Sequence, residues 1–225
     1  MKRMIPEING KLRCHMVRVP DELWQASGIK IFGTLIKAVV FSTDIAIIRN
    51  SNADAVIAVY PFTAQSKISE AIIAAAEVPV FVGVGGGITT GQRAVNMAFQ
   101  AENQGARAVV LNAPTKNSVI KAIYEIIDIP IIVTVLTSNT KTIQERLEAG
   151  ATILNVSAAE KTPQVVKQIR TAFPEATIMA TGGPSSETIK KTIDAGANAI
   201  TWTPPPNSQL TKGVMRHCRE GIVET

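Results

Sequence analysis

Aromatic side chains are scarce: Phe, Trp and Tyr make up 4% of the 225 residues. The apolar mass, 46% of the chain, is carried instead by Ile, Val and Ala, the residues of buried parallel strands and closely packed helices. Two cysteines, Cys14 and Cys218, are too few and too far apart for a disulfide framework or a zinc pattern. Two histidines occur, His15 and His217, and neither falls in an expected strand-to-helix loop. No set of His, Asp and Glu has metal-ligand spacing, so no metal and no cofactor is expected. No apolar run reaches membrane length, and the opening MKRMIPEING lacks the apolar stretch of a secretory leader. A cytoplasmic location is the default expectation. The formal charge is +5, but Lys and Arg are scattered with no run of four, which argues against a nucleic-acid face.

What is present is a repeat. NADAVIAVYP from Asn52, GARAVVLNAP from Gly105, GATILNVSAA from Gly150 and GANAITWTPP from Gly196 align on Ala53, Ala106, Ala151 and Ala197, spaced 53, 45 and 46 residues apart. A fixed period of this kind signals a repeated supersecondary unit. Each segment is a short Val/Ile-rich run, the pattern of a buried strand. Further runs of the same type, VPVFVGV, IPIIVTV and ATIMATG, fall between them, and helical patterns separate all of these. In TPQVVKQIRTAF, Thr162 is the expected N-cap with Pro163 at the first helical position. SSETIKKTIDAG ends on Gly196, a C-terminal glycine.

Strands are expected near 36–41, 55–60, 80–84, 108–112, 131–135, 152–156, 177–181 and 199–203. Eight strands alternating with helices predict an α/β chain folded as a single (β/α)8 barrel over residues 36–225. An open doubly wound sheet is the alternative. A last helix, QLTKGVMRHCREGIV, would put Leu210, Val214, Cys218 and Ile222 on one face. Residues 1–35, with a strand in KLRCHMVRV and a short helix from Asp21, form an N-terminal extension expected to cover one barrel end.

Two glycine clusters end strands in this scheme: Gly83, Gly85, Gly86 and Gly87 in PVFVGVGGGITTGQRAV, and Gly182 and Gly183 in ATIMATGGPSS. Four strands apart, they would face each other across the barrel at its carboxyl end, where barrel active sites form. Glycines there let a ligand approach the backbone, and each following helix adds its positive N-terminus. A dinucleotide fingerprint does not fit, because its third glycine position is Ile88. The choice is between an anion site and plain tight turns.

The stretch ATGGPSSETIKKTIDAGANAITWTPP resembles the last two units of the ribulose-phosphate-binding barrels. That superfamily includes thiamine-phosphate synthase, phosphoribosylanthranilate isomerase and sugar-acid phosphate aldolases. The resemblance implies a small phosphorylated ligand held by Gly182 and Gly183, and a lyase, isomerase or epimerase type of activity. The family's second glycine loop is replaced here by TWTPPPN, where Pro204, Pro205 and Pro206 have no N–H to give, leaving Thr203 as a donor. The whole chain is also similar to a group of bacterial barrel proteins labelled hydrolases, and in architecture to glycerol-3-phosphate-responsive antiterminators. A non-catalytic sensing barrel and a hydrolase are therefore the competing readings.

Alternation along each strand puts Val110 and Asn112, Asn155 and Ser157, Thr201 and Thr203 on one side, so Asn112, Asn155, Ser157, Thr203 and Thr137 are expected to line a neutral mouth. Asp44, in VFSTDIAII, directly follows the first barrel strand. It is the candidate general base, with Asn112 and Asn155 in reach, or else a first-turn helix residue. Lys116, Glu160 and Lys161 follow strands and reach the ligand or stay solvated. The candidate site is thus Asp44, Asn112 and Asn155 for chemistry, and Gly85, Gly86, Gly87, Gly182, Gly183 and Thr203 for the phosphate. No lysine lies inside strands two to eight, against an imine-forming aldolase. No G-x-S-x-G elbow occurs, against a serine hydrolase. Oligomeric state is left open, a homo-oligomer among the options.

Overall fold

The computed structural model describes Pro6 and residues 16–219. Most of the strand expected in KLRCHMVRV, together with His15, Ile222 and the side chains of His217 and Cys218, lies outside what is described. Over residues 16–19 there is one isolated bridge, Val17 to Ser51.

A two-stranded antiparallel hairpin comes first, β1 (Ile29–Ile31) and β2 (Thr34–Ile36). Eight parallel strands follow: β3 (Ala38–Phe41), β4 (Ala55–Ala58), β5 (Val80–Gly85), β6 (Ala108–Leu111), β7 (Ile131–Val135), β8 (Ile153–Val156), β9 (Ile178–Thr181) and β10 (Ala199–Trp202). They close in sequence order, with β10 pairing back onto β3. The helices between them are α1 (Ile45–Arg49), α2 (Ser66–Ala75), α3 (Gly91–Asn103), α4 (Asn117–Tyr124), α5 (Thr140–Glu148), α6 (Thr162–Ala172) and α7 (Ser186–Asp194), with α8 (Asn207–Arg219) last. The architecture is a single (β/α)8 barrel. The first barrel strand starts two residues later than expected, because 34–36 pairs with 29–31 instead. Helix α6 begins at Thr162 itself, with Lys161 at the N-cap; the Thr162 hydroxyl accepts from Ala158 N (2.9 Å).

The Ala-based repeat has a structural cause. Gly105, Gly150 and Gly196 each adopt positive φ after a helix. Their N–H groups bond Glu102, Leu147 and Ile193 carbonyls, and the next residues, Ala106, Ala151 and Ala197, bond Ala101, Arg146 and Thr192. This is the Schellman helix stop, whose following residue packs inward. All three alanines, and Ala53 in the matching place, are buried. The motif recurs before every second strand because it turns a helix end sharply into the barrel wall.

Two apolar layers result. Ala38, Val40, Val56, Val82, Val109 and Leu154 face outward and pack under the helices. The alternate residues fill the lumen. Inward side chains of such barrels stack in layers of four from alternate strands, and the strand registers assign them here. Lowest are Ala55, Ala108, Ile153 and Ala199. Above them come Val39, Phe81, Ile132 and Met179, then Ile57, Val110, Asn155 and Thr201. Phe41, Gly83, Thr134 and Thr181 form the layer nearest the mouth. Small residues in the lowest layer leave room for Ile31 and Ile36 of the hairpin, which join the same cluster.

A 3-10 turn at Asp21–Gln25 precedes the hairpin. Its Leu23 is fully buried among the outward-facing residues, and Lys37 Nζ donates to Trp24 O (3.0 Å). The segment therefore packs on the outer wall beside α7, while the hairpin enters from below. Helix α8 covers the wall only loosely: Leu210 and Val214 are half-buried, and most of its other described side chains are exposed.

Candidate active site at the barrel mouth

The β9–α7 loop runs Thr181, Gly182, Gly183, Pro184, Ser185. Gly182 is required by packing, since a Cβ there would meet Ile200 Cγ2 at 2.6 Å. Its N–H is also spent, on Thr201 O (3.0 Å). Gly183 has φ +80°, is exposed, and its N–H has no acceptor among the described residues. Ser185 caps α7 in a capping box with Thr188, so the N–H groups of Ser186 and Glu187 remain open, as first-turn amides are. Gly183, Ser186 and Glu187 are thus the donors of this loop. Of these, Gly183 borders a cavity of about 500 Å3 whose wall includes Thr181, Thr201, Thr203 and Gln209; Ser186 and Glu187 follow it in the first turn of α7. Pro204 and Pro205 line its far side.

The β5–α3 loop is stiffer and offers less. Gly85 has no room for a Cβ, which would meet Ala94 Cβ at 2.8 Å. Gly86 has φ +93° and lies against the backbone of Asn112, whose O is 2.6 Å from the place of a Cβ. Its N–H bonds Thr89 O (3.0 Å). Gly87 is different: it is exposed, its φ is unexceptional, and nothing lies within 4 Å of where a Cβ would be. The fold makes no demand for glycine there. A smaller cavity of about 200 Å3 joins Gly85–Gly87 to Tyr60, Phe62 and Asn112. The two glycine loops sit on opposite sides of the ring, β5 and β9 being four strands apart, and their cavities share no lining residue.

Asp44 is the N-cap of α1. Its Oδ1 accepts from Ala46 N (2.8 Å) and Ile47 N (3.2 Å). Among the described residues its carboxylate bonds nothing else, and neither Asn112 nor Asn155 touches it through a hydrogen bond. Asn112 is exposed, with its Oδ1 accepting from Ala113 N (2.9 Å), and lies on the smaller cavity. Asn155 is in the lumen, 8% exposed, and its Nδ2 donates to Thr134 Oγ1 (3.2 Å). Thr203 shares the larger cavity with Gly183. Thr137 turns its hydroxyl to Asn139 N (3.2 Å), and Ser157 is half-buried above Asn155. Lys116, Glu160 and Lys161 are exposed. Thr203 and Gly183 are therefore brought together, Asn112 joins the other glycine loop, and Asp44 lines neither cavity.

Thr181 and Thr201 were absent from the expected set. Thr201 is 6% exposed, with no partner for its hydroxyl among the described residues. Strand alternation already placed it beside Thr203; burial without a partner has no sequence signature. Two carboxylates near α7 titrate low. Lys191 donates to Glu187 (2.7 Å) and holds its carboxyl below the ordinary 4.5. Glu22 is held below the same value by a backbone N–H of its own, then by the Ser186 hydroxyl and the Lys190 charge.

A closed barrel with polar groups at the carboxyl ends of the strands has the form of a (β/α)8 fold. Solved structures agree on that fold. Phosphonopyruvate hydrolase, solved with oxalate and Mg2+, superposes with a TM-score of 0.60 at 13% identity, over 94% of this chain and 87% of its own. 2,3-Dimethylmalate lyase, of the PEP mutase/isocitrate lyase superfamily, gives 0.62 at 14%, over 89% and 84%. The 4-hydroxy-tetrahydrodipicolinate synthase of Methylacidiphilum fumariolicum gives 0.59 at 16%, over 82% and 73%. Neither a family model nor a curated protein sequence matches the chain. Among the described residues no helix is long and apolar enough to cross a membrane.

Proposed function

We propose that the chain is an enzyme of lyase or isomerase type acting on a small phosphorylated metabolite, with the phosphate seated on the β9–α7 loop. The observation that carries this reading is the larger cavity, where Gly183 at the head of α7 and the residues Thr181, Thr201 and Thr203 share one wall. Amides without a competing acceptor at a helix N-terminus suit a dianion. The adjoining hydroxyls suit the rest of a small ligand. The prolines after β10 withhold amides from the other side, so the β9–α7 loop carries most of the affinity and Gly87 supplies a weaker rim across the barrel. The resemblance to ribulose-phosphate-binding barrels supports the phosphate, and the lyase and synthase names among the structural neighbours support the reaction class.

The Mg2+ of phosphonopyruvate hydrolase does not transfer. Among the described residues, Asp44 and Glu160 are the only carboxylates between a barrel strand and its next helix. No three His, Cys, Asp or Glu among the described residues come together to hold a metal. In this reading Asp44 is the acid–base group through Oδ2, its Oδ1 being committed to the cap; it lines neither cavity, so the ligand has to extend from the β9–α7 loop toward α1 to meet it. One observation favours the second reading, a sensing barrel without chemistry: the lumen residues are all uncharged, and the one candidate base already has a structural task.

Calorimetric titration with inorganic phosphate and a panel of sugar phosphates tests both. Gly183→Asp puts a carboxylate where the phosphate sits. A loss of at least about tenfold in affinity is expected, the value of one charge-assisted hydrogen bond; unchanged affinity overturns the site. Asp44→Asn keeps an equally good cap and removes the acid–base group. Turnover lost at an unchanged urea midpoint supports the enzyme, whereas tight binding with no turnover in the parent supports the sensor.

A further inference from the structure

The lumen is divided lengthwise. In the two layers nearest the mouth, β3–β6 contribute Phe41, Ile57, Gly83 and Val110, all without a polar side-chain atom. β7–β10 contribute Thr134, Asn155, Thr181 and Thr201, all polar. Burial along this second wall is nearly complete: Thr134, Asn155 and Thr201 are 9%, 8% and 6% exposed. Yet its hydrogen-bonding capacity is not used up internally. Asn155 Nδ2 donates to Thr134 Oγ1, while Asn155 Oδ1 and Thr201 Oγ1 have no partner among the described residues. The two belong to the same layer on β8 and β10, with only β9 between them. A buried polar atom left unpaired is costly, and a barrel built for stability alone would place Val or Leu at these points, as β4 and β6 do with Ile57 and Val110.

We infer that Asn155 and Thr201 are a specificity-determining pair that takes a neutral hydroxyl of the ligand, while the phosphate rests above them on the β9–α7 loop. The inference rests on the anion reading of that loop. Thr201 lines the same cavity as Gly183, so a phosphate at Gly183 directs its substituent down the polar wall. With no cation among the lumen side chains, a carboxylate in that place would be desolvated without compensation. A hydroxyl can donate to the Asn155 amide oxygen and exchange a hydrogen bond with Thr201. The site thereby selects hydroxylated over carboxylated or purely alkyl phosphates.

The test uses ω-hydroxyalkyl phosphates of two to four carbons against the matching alkyl phosphates, with inorganic phosphate as the reference. The parent is expected to prefer one hydroxylated member by at least about fivefold. Thr201→Val, isosteric but without the hydroxyl, should abolish that preference and hold or raise the melting temperature. Thr201→Ser should restore the preference. Binding of phosphate and alkyl phosphates with no hydroxyl preference in the parent overturns the pair and leaves the anion site standing. Binding of none of them by the parent overturns the anion reading, and the pair with it. A melting temperature lowered by several degrees in Thr201→Val assigns Thr201 to stability and overturns its role in recognition.

Discussion

The glycines of the mouth are not equivalent, and the difference is visible residue by residue. Gly85, Gly86, Gly182 and Gly183 are held by close packing, a Cβ on Gly183 meeting Thr188 Oγ1 at 2.7 Å, and Gly86 and Gly183 also by φ of +93° and +80°. Gly183 and Gly87 are the exposed ones. Gly86→Ala should therefore cost about 1–3 kcal/mol of stability from backbone strain alone, with the collision against Asn112 in addition. Gly87→Ala should leave the urea midpoint near that of the parent. A stable Gly86→Ala protein, or a Gly87→Ala protein that unfolds at markedly lower urea, would remove this division of labour. None of it was legible in GVGGGITT, where four glycines look alike; a Cβ collision depends on which neighbouring strand lies alongside. The count of donors differs for the same reason. Two of the expected amides, those of Gly86 and Gly182, are consumed by Thr89 O and Thr201 O.

At the level of elements, the strand runs were plain in the sequence because parallel strands buried on both faces are continuous apolar segments. The Ala-based period was plain because one helix stop is used repeatedly. Alternation within the repeat even grouped Asn155 and Thr201 correctly with the inward face. The elements outside the repeat were harder to read. A three-residue strand such as Ile29–Ile31 has too few alternations to show a period, and the 3-10 turn at Asp21–Gln25 owes its place to tertiary packing of Leu23. That turn gives a pH-dependent contact. Glu22 titrates below 4.5 in the folded protein because of its backbone N–H, Ser186 and Lys190. A depressed carboxyl contributes above its unfolded pKa and loses that contribution as pH falls through the folded value. Amide exchange at residues 21–25 should therefore quicken as pH drops below 4.5, after correction for intrinsic exchange, and Glu22→Gln should exchange at the faster rate already at neutral pH. Protection unaffected by the substitution would show that Leu23 alone holds the turn.

For the whole molecule, closure of the sheet is what gathers the candidate site. Periodicity gave eight strands, but only the pairing of β10 with β3 sets β5 opposite β9. Closure also makes a lumen with one polar and one apolar wall. The phosphate site on the β9–α7 loop is the claim on which the rest depends. The most direct measurement is a backbone amide NMR titration of the full chain with inorganic phosphate. The expected result is saturable shifts centred on Gly183, Ser186 and Glu187, and their loss in Gly183→Asp. Shifts centred on any other part of the barrel, with Gly183, Ser186 and Glu187 unmoved, would contradict it.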